Sequence, residues 1–202
     1  MKKKSLVIVL ICSLFLILFT VGCDSKSGIS SEKATVQDFK TMSRPEEGWT
    51  IGELLSVSYV CGKQLSYPMT GDCLSPKLTI GLDSAVDDED KKRITADLLY
   101  KKEYLGSCIY YYENDDKSRP LAISSIANGG PEYKYPDGIV VNGIKIGNSR
   151  TDIIDSMGEP DVANDNSSTY FIKYFDKNDD KKGVFFNYDS VEDCVVGIWI
   201  EG

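Results

Sequence analysis

The sequence predicts an α+β fold of two tandem units, each a hairpin and a short helix packed on an antiparallel meander sheet. Two observations predict this fold. Residues 140–160, "VVNGIKIGNSRTDIIDSMGEP", have the pattern of a tight hairpin followed by a capped helix and a stop. A looser copy of this order begins near Tyr59, and strand-like segments follow each copy. We therefore expect a first unit at residues 45–130 and a second at residues 131–202.

An X-Gly dipeptide predicts the hairpin turn in each half. Asn142-Gly143 separates the apolar residues 139–141 from residues 144–146. Asn-Gly is typical of a two-residue type I′ turn, because both central positions need positive φ. Cys61-Gly62 holds the matching place in the first half.

The helix of the second unit is predicted by its two ends. Ser149 is a suitable N-cap, and Asp152 three residues later gives a variant of the capping box. Gly158 can take the left-handed position after the helix, and Pro160 prevents continuation. The apolar residues of this helix share one face: Ile153, Ile154 and Met157. The matching helix at residues 70–74 is weaker, because Gly71 lies in its first turn.

Three strands are predicted after each helix, and loops enlarge both units. The strands are residues 95–100, 106–111 and 121–126, then 169–174, 183–188 and 194–200. The acidic runs at residues 87–90 and 176–182 are predicted as surface loops.

Alternation along the strands assigns two faces. The face expected under the helices carries Ala96, Leu98, Tyr100, Ile109, Tyr111, Tyr170, Ile172, Tyr174, Phe186, Tyr188, Val196, Ile198 and Ile200. The opposite face is expected to carry Leu99, Tyr110, Tyr112, Phe171, Phe185 and Trp199.

The N-terminus has the pattern of an export signal. Three lysines, Lys2 to Lys4, precede an apolar run at residues 6–19. The run ends in Thr-Val-Gly-Cys at Cys23, which resembles the lipobox of bacterial lipoprotein precursors. The resemblance implies that residues 1–22 are removed and that the Cys23 thiol carries diacylglycerol. The alternative is an uncleaved membrane helix whose lysines stay inside. Both interpretations place the remainder outside the cell membrane, with residues 23–44 as a flexible tether.

The charge balance excludes some partners. Residues 1–22 contain three of the 23 basic residues and no acidic residue, so the remainder has 20 basic and 31 acidic residues. Its net charge is then −11, which argues against nucleic acid and against electrostatic binding to anionic lipid. A lipid anchor at Cys23 would hold the protein at the membrane instead.

Four cysteines remain after Cys12 and Cys23 are set aside. Outside the cytoplasm they could form two disulfides, or they could be unpaired, mostly buried thiols. The sequence does not decide between these alternatives. The four residues are Cys61, Cys73, Cys108 and Cys194.

The segment "IKIGNSRTDIIDSMGEP" followed by tyrosine-rich strands resembles the lipoprotein modules of the SmpA/OmlA type. It is also similar to the tandem units of β-lactamase inhibitor proteins. The matching residues are Gly147, Ser149, Asp152, Ile153, Ile154, Gly158, Glu159 and Pro160. The resemblance implies a short helix packed against an antiparallel sheet. Members bind other proteins through the sheet face and loops, so it also implies this kind of binding. The matching residues are structural, so they carry over a fold and not an activity.

The sequence excludes most familiar catalytic sites. It contains no histidine, which excludes His-based acid–base, nucleophile and metal sites. Ser30 and Lys33 have the spacing of a serine–lysine pair, but they lie in the tether. The acidic run from Asp176 lacks the Gly and Glu that a calcium loop needs at its sixth and twelfth positions. We expect no enzyme, no cofactor and no metal site.

The function expected is protein binding or envelope scaffolding without catalysis. The candidate binding residues are the aromatic side chains of the opposite face: Trp199, Phe185, Phe171, Tyr110 and Tyr112. A group of exposed aromatic side chains is typical of a protein-binding surface. The alternative is a surface protein that binds a solute or cation through its acidic loops.

Overall fold

The computed structural model describes residues 38–129, 135, 137–164 and 170–202. The export signal at residues 1–22, Cys23, the Ser30 and Lys33 pair, and the tether up to residue 37 lie outside the described residues. The remainder belongs to one compact unit, Gln37–Gly202.

In the described residues, the main element is an eight-stranded antiparallel sheet, with a three-stranded sheet and two short helices beside it. The helices are α1 (Ile51–Ser56) and α2 (Arg150–Met157), and the short strands of the small sheet are β1 (Ser58–Val60), β2 (Lys63–Gln64) and β7 (Ile139–Val141). The large sheet contains β3 (Leu78–Asp88), β4 (Arg93–Tyr100), β5 (Glu103–Tyr111), β6 (Ala122–Gly129), β8 (Val162–Asn164), β9 (Tyr170–Asp176), β10 (Asp179–Asp189) and β11 (Cys194–Glu201). The predicted α+β class is confirmed, with strands predominating.

Each half of the chain contributes four consecutive strands to the large sheet. The strand order is β3-β4-β5-β6-β11-β10-β9-β8, so two meanders meet where β6 pairs with β11. Ile126 lies opposite Ile200 at this junction. The small sheet has the order β2-β1-β7, and Tyr59 on β1 lies opposite Val140 on β7.

A single hydrophobic core serves both halves. Leu98 and Ile126 of the first half and Ile198 of the second are fully buried members of one cluster. Ile153 and Met157 of α2 belong to the same cluster, as does Trp49, which precedes α1. The helices and the small sheet therefore cover one face of the large sheet.

The predicted turn of the second hairpin and the predicted N-cap of its helix are confirmed, whereas the left-handed position predicted for Gly158 is not. Asn142 and Gly143 have φ of 50° and 85°, as a type I′ turn requires. Ser149 accepts a hydrogen bond from the Asp152 N–H, and the Asp152 carboxylate accepts one from the Ser149 N–H. Gly158 has positive φ but an extended ψ of −171°, so it leads the chain out of the helix without a left-handed residue.

Several predicted elements differ from the structure. The first-half helix is one 3₁₀ turn, Gly71–Cys73, and β3, β8 and α1 were not predicted. Of the loop predicted at residues 176–182, only residues 177 and 178 form a turn, because Asp176 ends β9 and residues 179–182 belong to β10. In the acidic run at residues 87–90, the first two residues end β3 and the next two begin a 3₁₀ turn, Glu89–Lys91.

Residues 39–48, here called the N-terminal strap, pack on the folded unit. The Met42 N–H donates to Asn142 Oδ1 at 2.7 Å, and Asn142 Nδ2 donates to Met42 O at 2.9 Å. Arg44 pairs with Asp161, and the Phe39 ring lies 5.0 Å from that of Tyr59. The prediction that the tether continues to residue 44 is therefore wrong, since these contacts place the strap in the folded part.

Candidate functional site

The candidate site lies on the outer face of the large sheet, which points away from the core. One row of residues crosses this face from strand to strand. In order it contains Asp97, Ser107, Ala127, Trp199, Phe185 and Lys173, and we call it the central row. Opposite residues in neighbouring strands have Cβ atoms ~5 Å apart. Side chains from both halves therefore form one continuous surface.

Phenylalanine rings surround Lys173 at one end of the central row. The Lys173 ammonium lies 4.6 Å from the ring centre of Phe171, 4.9 Å from that of Phe185 and 6.0 Å from that of Phe175. The rings of Phe175 and Phe185 meet edge to face at 5.9 Å. A cation over an aromatic face is attracted by the ring quadrupole. The three rings, here called the phenylalanine cluster, thus hold a cation of their own chain.

Trp199 lies next to this cluster and remains accessible. It is opposite Phe185 on one side and opposite Ala127 on the other. Its side chain is 39 % exposed, whereas Trp49 in the core is fully buried. Trp199 is thus a large apolar side chain at the centre of a sheet face that no described residue covers.

A groove of about 270 Å³ runs beside Trp199. Small residues, among them Ala127 and Gly197, lie between the larger side chains of Tyr104 and Trp199. Tyr104 is 54 % exposed. The groove exists because small side chains lie between two large aromatic ones. Its other lining residues are Ser107, Asn128, Asn187 and Val196.

Two carboxylates lie near the groove. Among the described residues, its lining includes no lysine or arginine. Glu201 lies on the same face as Trp199, two residues along β11, and Asp97 neighbours Ser107 in the central row. Burial, and then the Asp97 charge, raise the pKa of Tyr104, which places that carboxylate close to the groove. The groove therefore combines aromatic walls with carboxylates at its margin.

Two predicted binding residues do not reach this face. Tyr110 is fully buried and donates to Lys117 O at 2.5 Å, and burial raises its pKa to about 12. Tyr112 is 4 % exposed and donates to Asp87 Oδ1 at 3.1 Å. Their predicted place on the outer face is wrong, because matching Gly106 to Gly183 shifted β5 by one residue. Such a shift exchanges the two faces of a strand.

The same shift explains the observed face of Tyr111, and a bulge explains that of Val196. Most residues assigned to the helix-covered face are buried, among them Ala96, Leu98 and Ile172. Tyr111, also assigned there, is 40 % exposed, and it lies opposite Arg93. Val196 is displaced by a bulge where β10 and β11 change register, and it lines the groove.

Three residues of the outer face were missed by the sequence analysis. Lys173 and Phe175 follow Phe171 at the alternating positions of β9, so period two could have identified them. Tyr104 could not be found in this way, because β5 has an extra residue between Tyr104 and Gly106. These two residues lie opposite Leu99 and Leu98, which are consecutive in β4.

The acidic residues around Asp176 are engaged in the turn itself. Asp176 is 7 % exposed, and its Oδ1 accepts from the backbone N–H and the side chain of Asn178 at 3.0 and 3.1 Å. Asp179 pairs with Lys182 at 3.4 Å. Across the described ranges, no group of three acidic or cysteine side chains is placed to hold a metal ion.

The four cysteines in the described part of the chain, Cys61, Cys73, Cys108 and Cys194, are unpaired thiols. Burial raises the pKa of Cys61 to about 11 and that of Cys108 to about 12. For Cys73, burial raises the pKa, but hydrogen bonds from Ser66 and Thr70 outweigh it, so its net pKa is lowered. Of the two alternatives left by the sequence, the structure contains the free thiols.

A second concavity, of about 380 Å³, lies beside the N-terminal strap. Four of its five charged side chains are paired with each other. Arg44 pairs with Asp161, and Lys177 pairs with Glu47 at 2.9 Å. These charges are largely satisfied within the fold, so the outer face is the better candidate.

Comparison with known proteins gives no relative for this chain: no protein-family model, curated protein or solved structure matches it. In the part of the chain that the structure describes, no helix is long and apolar enough to cross a membrane.

Proposed function

We propose that this protein is a lipid-anchored extracytoplasmic protein that binds another protein through the outer face of its sheet, without catalysis. One observation carries the proposal. Trp199 is 39 % exposed at the centre of a row of side chains to which both halves contribute. Exposed aromatic patches on a rigid sheet are typical of protein-binding surfaces.

The composition of the outer face supports a protein as the partner. Tryptophan and tyrosine are enriched among residues that dominate binding energy at interfaces. Trp199 and Tyr104 flank a groove, and the phenylalanine cluster extends the apolar area on one side. Hydrogen-bonded strands hold all of these residues, so they need little ordering when they bind.

The proposal includes a tandem origin for the two halves. Each half contains, in order, a small hairpin, a helical turn and a four-stranded meander. Tyr59 and Val140, which hold matching places in their hairpins, also lie opposite each other. A duplicated unit that pairs with its own copy would have this arrangement. In this account, the groove between the meanders is a product of that pairing.

The proposed membrane anchor rests on the sequence of residues 1–23 alone. The lysines, the apolar run and Cys23 support an export signal that is cleaved before a lipidated cysteine. Cys23→Ser should leave uncleaved precursor that no longer takes up labelled fatty acid. Cys12→Ser, inside the same signal, is the matched control and should mature normally. Normal maturation of Cys23→Ser would contradict the anchor.

Partner capture tests the binding proposal. Cells carrying the full chain are treated with a chemical crosslinker, and the crosslinked protein is purified and its partner identified. Trp199→Ala and Phe185→Ala should remove the partner with little change in melting temperature. Leu121→Ala is the control, since Leu121 is 53 % exposed but outside the groove lining. A partner retained equally by all three variants would overturn the proposal, as would unfolding of Trp199→Ala.

A further inference from the structure

The chemistry of the groove specifies what kind of side chain it accepts. Its walls are the aromatic rings of Tyr104 and Trp199, and its lining contains no basic residue. Glu201 lies beside Trp199 on the same face of β11, ~7 Å away between Cα atoms for residues two apart in a strand. Asp97 lies at the opposite end, next to Ser107. A side chain in the groove would thus contact aromatic rings, and the carboxylates of Glu201 and Asp97 lie on the same sheet face outside the groove lining.

The neighbouring phenylalanine cluster shows which group such a surface holds. Lys173 is in the central row, and its ammonium lies over three aromatic rings at 4.6 to 6.0 Å. Trp199 is two positions along the same row and has no cation above it among the described residues. Tryptophan binds cations more strongly than phenylalanine does.

We infer that the groove binds a basic side chain, arginine or lysine, presented by the protein partner. The inference rests on the proposed function and adds the chemistry of the partner. The cation stacks on the Trp199 indole, and Glu201 and Asp97 complement its charge. The chain without residues 1–22 has a net charge of −11, which favours the approach of a basic partner.

Side-chain polarity in the groove is consistent with this occupant. Asn187 and Ser107 line it and offer an amide and a hydroxyl oxygen as acceptors for N–H donors of the cation. An acidic partner would face Glu201 and Asp97 with like charge, which costs binding energy. A purely apolar partner would leave these polar groups without a partner.

The two tryptophans of the chain make the test specific. The full-length protein is labelled with ¹⁵N at the indole nitrogens, solubilised in detergent and followed by NMR. Blocked pentapeptides with one central arginine, lysine, citrulline or glutamate are the probes. We expect the arginine and lysine peptides to shift the Trp199 indole signal and to bind about threefold to tenfold more tightly than the citrulline peptide. The Trp49 signal, from a buried side chain, should not move.

Substitutions of the carboxylates complete the test. Glu201→Gln and Asp97→Asn should each weaken binding of the arginine peptide about twofold to fivefold at low salt, and salt should reduce the effect. Asp155→Asn makes an equal charge change at an exposed position of helix α2. It is the control and should have no effect. Equal binding of the arginine and citrulline peptides would overturn the inference, as would no response at Trp199.

The partner capture described above distinguishes failure of the inferred basic side chain from failure of the proposed function. If Trp199→Ala removes the partner while no basic peptide is preferred, the outer face binds protein through another chemistry. If Trp199→Ala leaves the partner in place, the binding proposal itself fails.

Discussion

The ammonium of Lys173 lies 4.9 Å from the centre of the Phe185 ring, on the face of the sheet that points away from the core. Two further rings of the phenylalanine cluster approach the same ammonium. A basic side chain is therefore already part of the aromatic surface. This arrangement stabilises the phenylalanine side chains on a face that nothing in the described chain covers.

Replacing this cation tests its contribution to stability. Lys173→Met keeps the length of the side chain and its packing on the rings but removes the charge. We expect a loss of about 0.5 to 1 kcal/mol in the free energy of unfolding, measured by urea denaturation. Lys181→Met, on the exposed part of β10, is the control. Equal stability of the two variants would show that the rings gain nothing from the cation.

Asn142 supports a second prediction, because it joins three parts of the fold. Besides its two hydrogen bonds to Met42, its Nδ2 donates to Ser156 O in α2 at 2.7 Å. Asn142→Ala leaves these buried groups without a partner and puts alanine at positive φ. We expect a loss of about 2 to 4 kcal/mol, measured by urea denaturation.

Asn142→Gly separates the two effects at this position. Glycine adopts positive φ without strain, so this variant loses the hydrogen bonds alone and should fall between the wild type and Asn142→Ala. If Asn142→Gly matched the wild type, the strap contacts would contribute nothing to stability.

The buried side chain of Tyr110 should make the folding stability depend on pH in alkali. Burial raises its pKa from 10.0 to about 12 in the folded protein. Between these values the unfolded chain loses the phenolic proton while the folded chain keeps it, so the stability falls as pH rises. Tyr110→Phe lacks this proton. We expect its urea midpoint to fall less than that of the wild type between pH 8 and pH 11, and parallel curves would contradict the prediction.

The carboxylate of Asp152 should give the folding stability the opposite pH dependence in acid. Hydrogen bonds from Asn148 and then from Ser149 lower its pKa below 3.8. The stability that it contributes is therefore present above that value and lost as pH falls through the lowered pKa. Asp152→Asn should be less stable than the wild type at pH 6, and the difference should shrink towards pH 2. Asp155→Asn, on the same helix, is the control for the loss of one carboxylate.

The sequence predicts the parts of the fold that depend on local chemistry. The Asn142-Gly143 turn and the Ser149 cap follow from the conformations that these residues favour, and both are as expected. It does not predict β8, whose three residues carry little pattern. Nor does it predict the strap, because Met42 and Asn142 are distant in the sequence and meet only in the folded chain.

The candidate site is predictable in one half of the sheet and not in the other. Trp199 alternates cleanly with buried neighbours, and the outward positions of Phe171 and Phe185 follow in the same way. In β5, register shifts against both neighbouring strands interrupt the alternation. A bulge changes which face a side chain occupies without changing the sequence pattern. Tyr104 was missed for this reason, whereas Tyr110 was misplaced because Gly106 was matched to Gly183.

Site-specific photocrosslinking is the most direct test of the central claim that the outer face binds a protein. A benzophenone amino acid replaces Ser107 in the groove in one strain, and Asp155 on helix α2 in another. Living cells of both strains are irradiated, with the full-length protein expressed at its natural level. The account predicts one crosslinked product of defined mass from position 107 and none from position 155. The same product from both positions, or from position 155 alone, would contradict it.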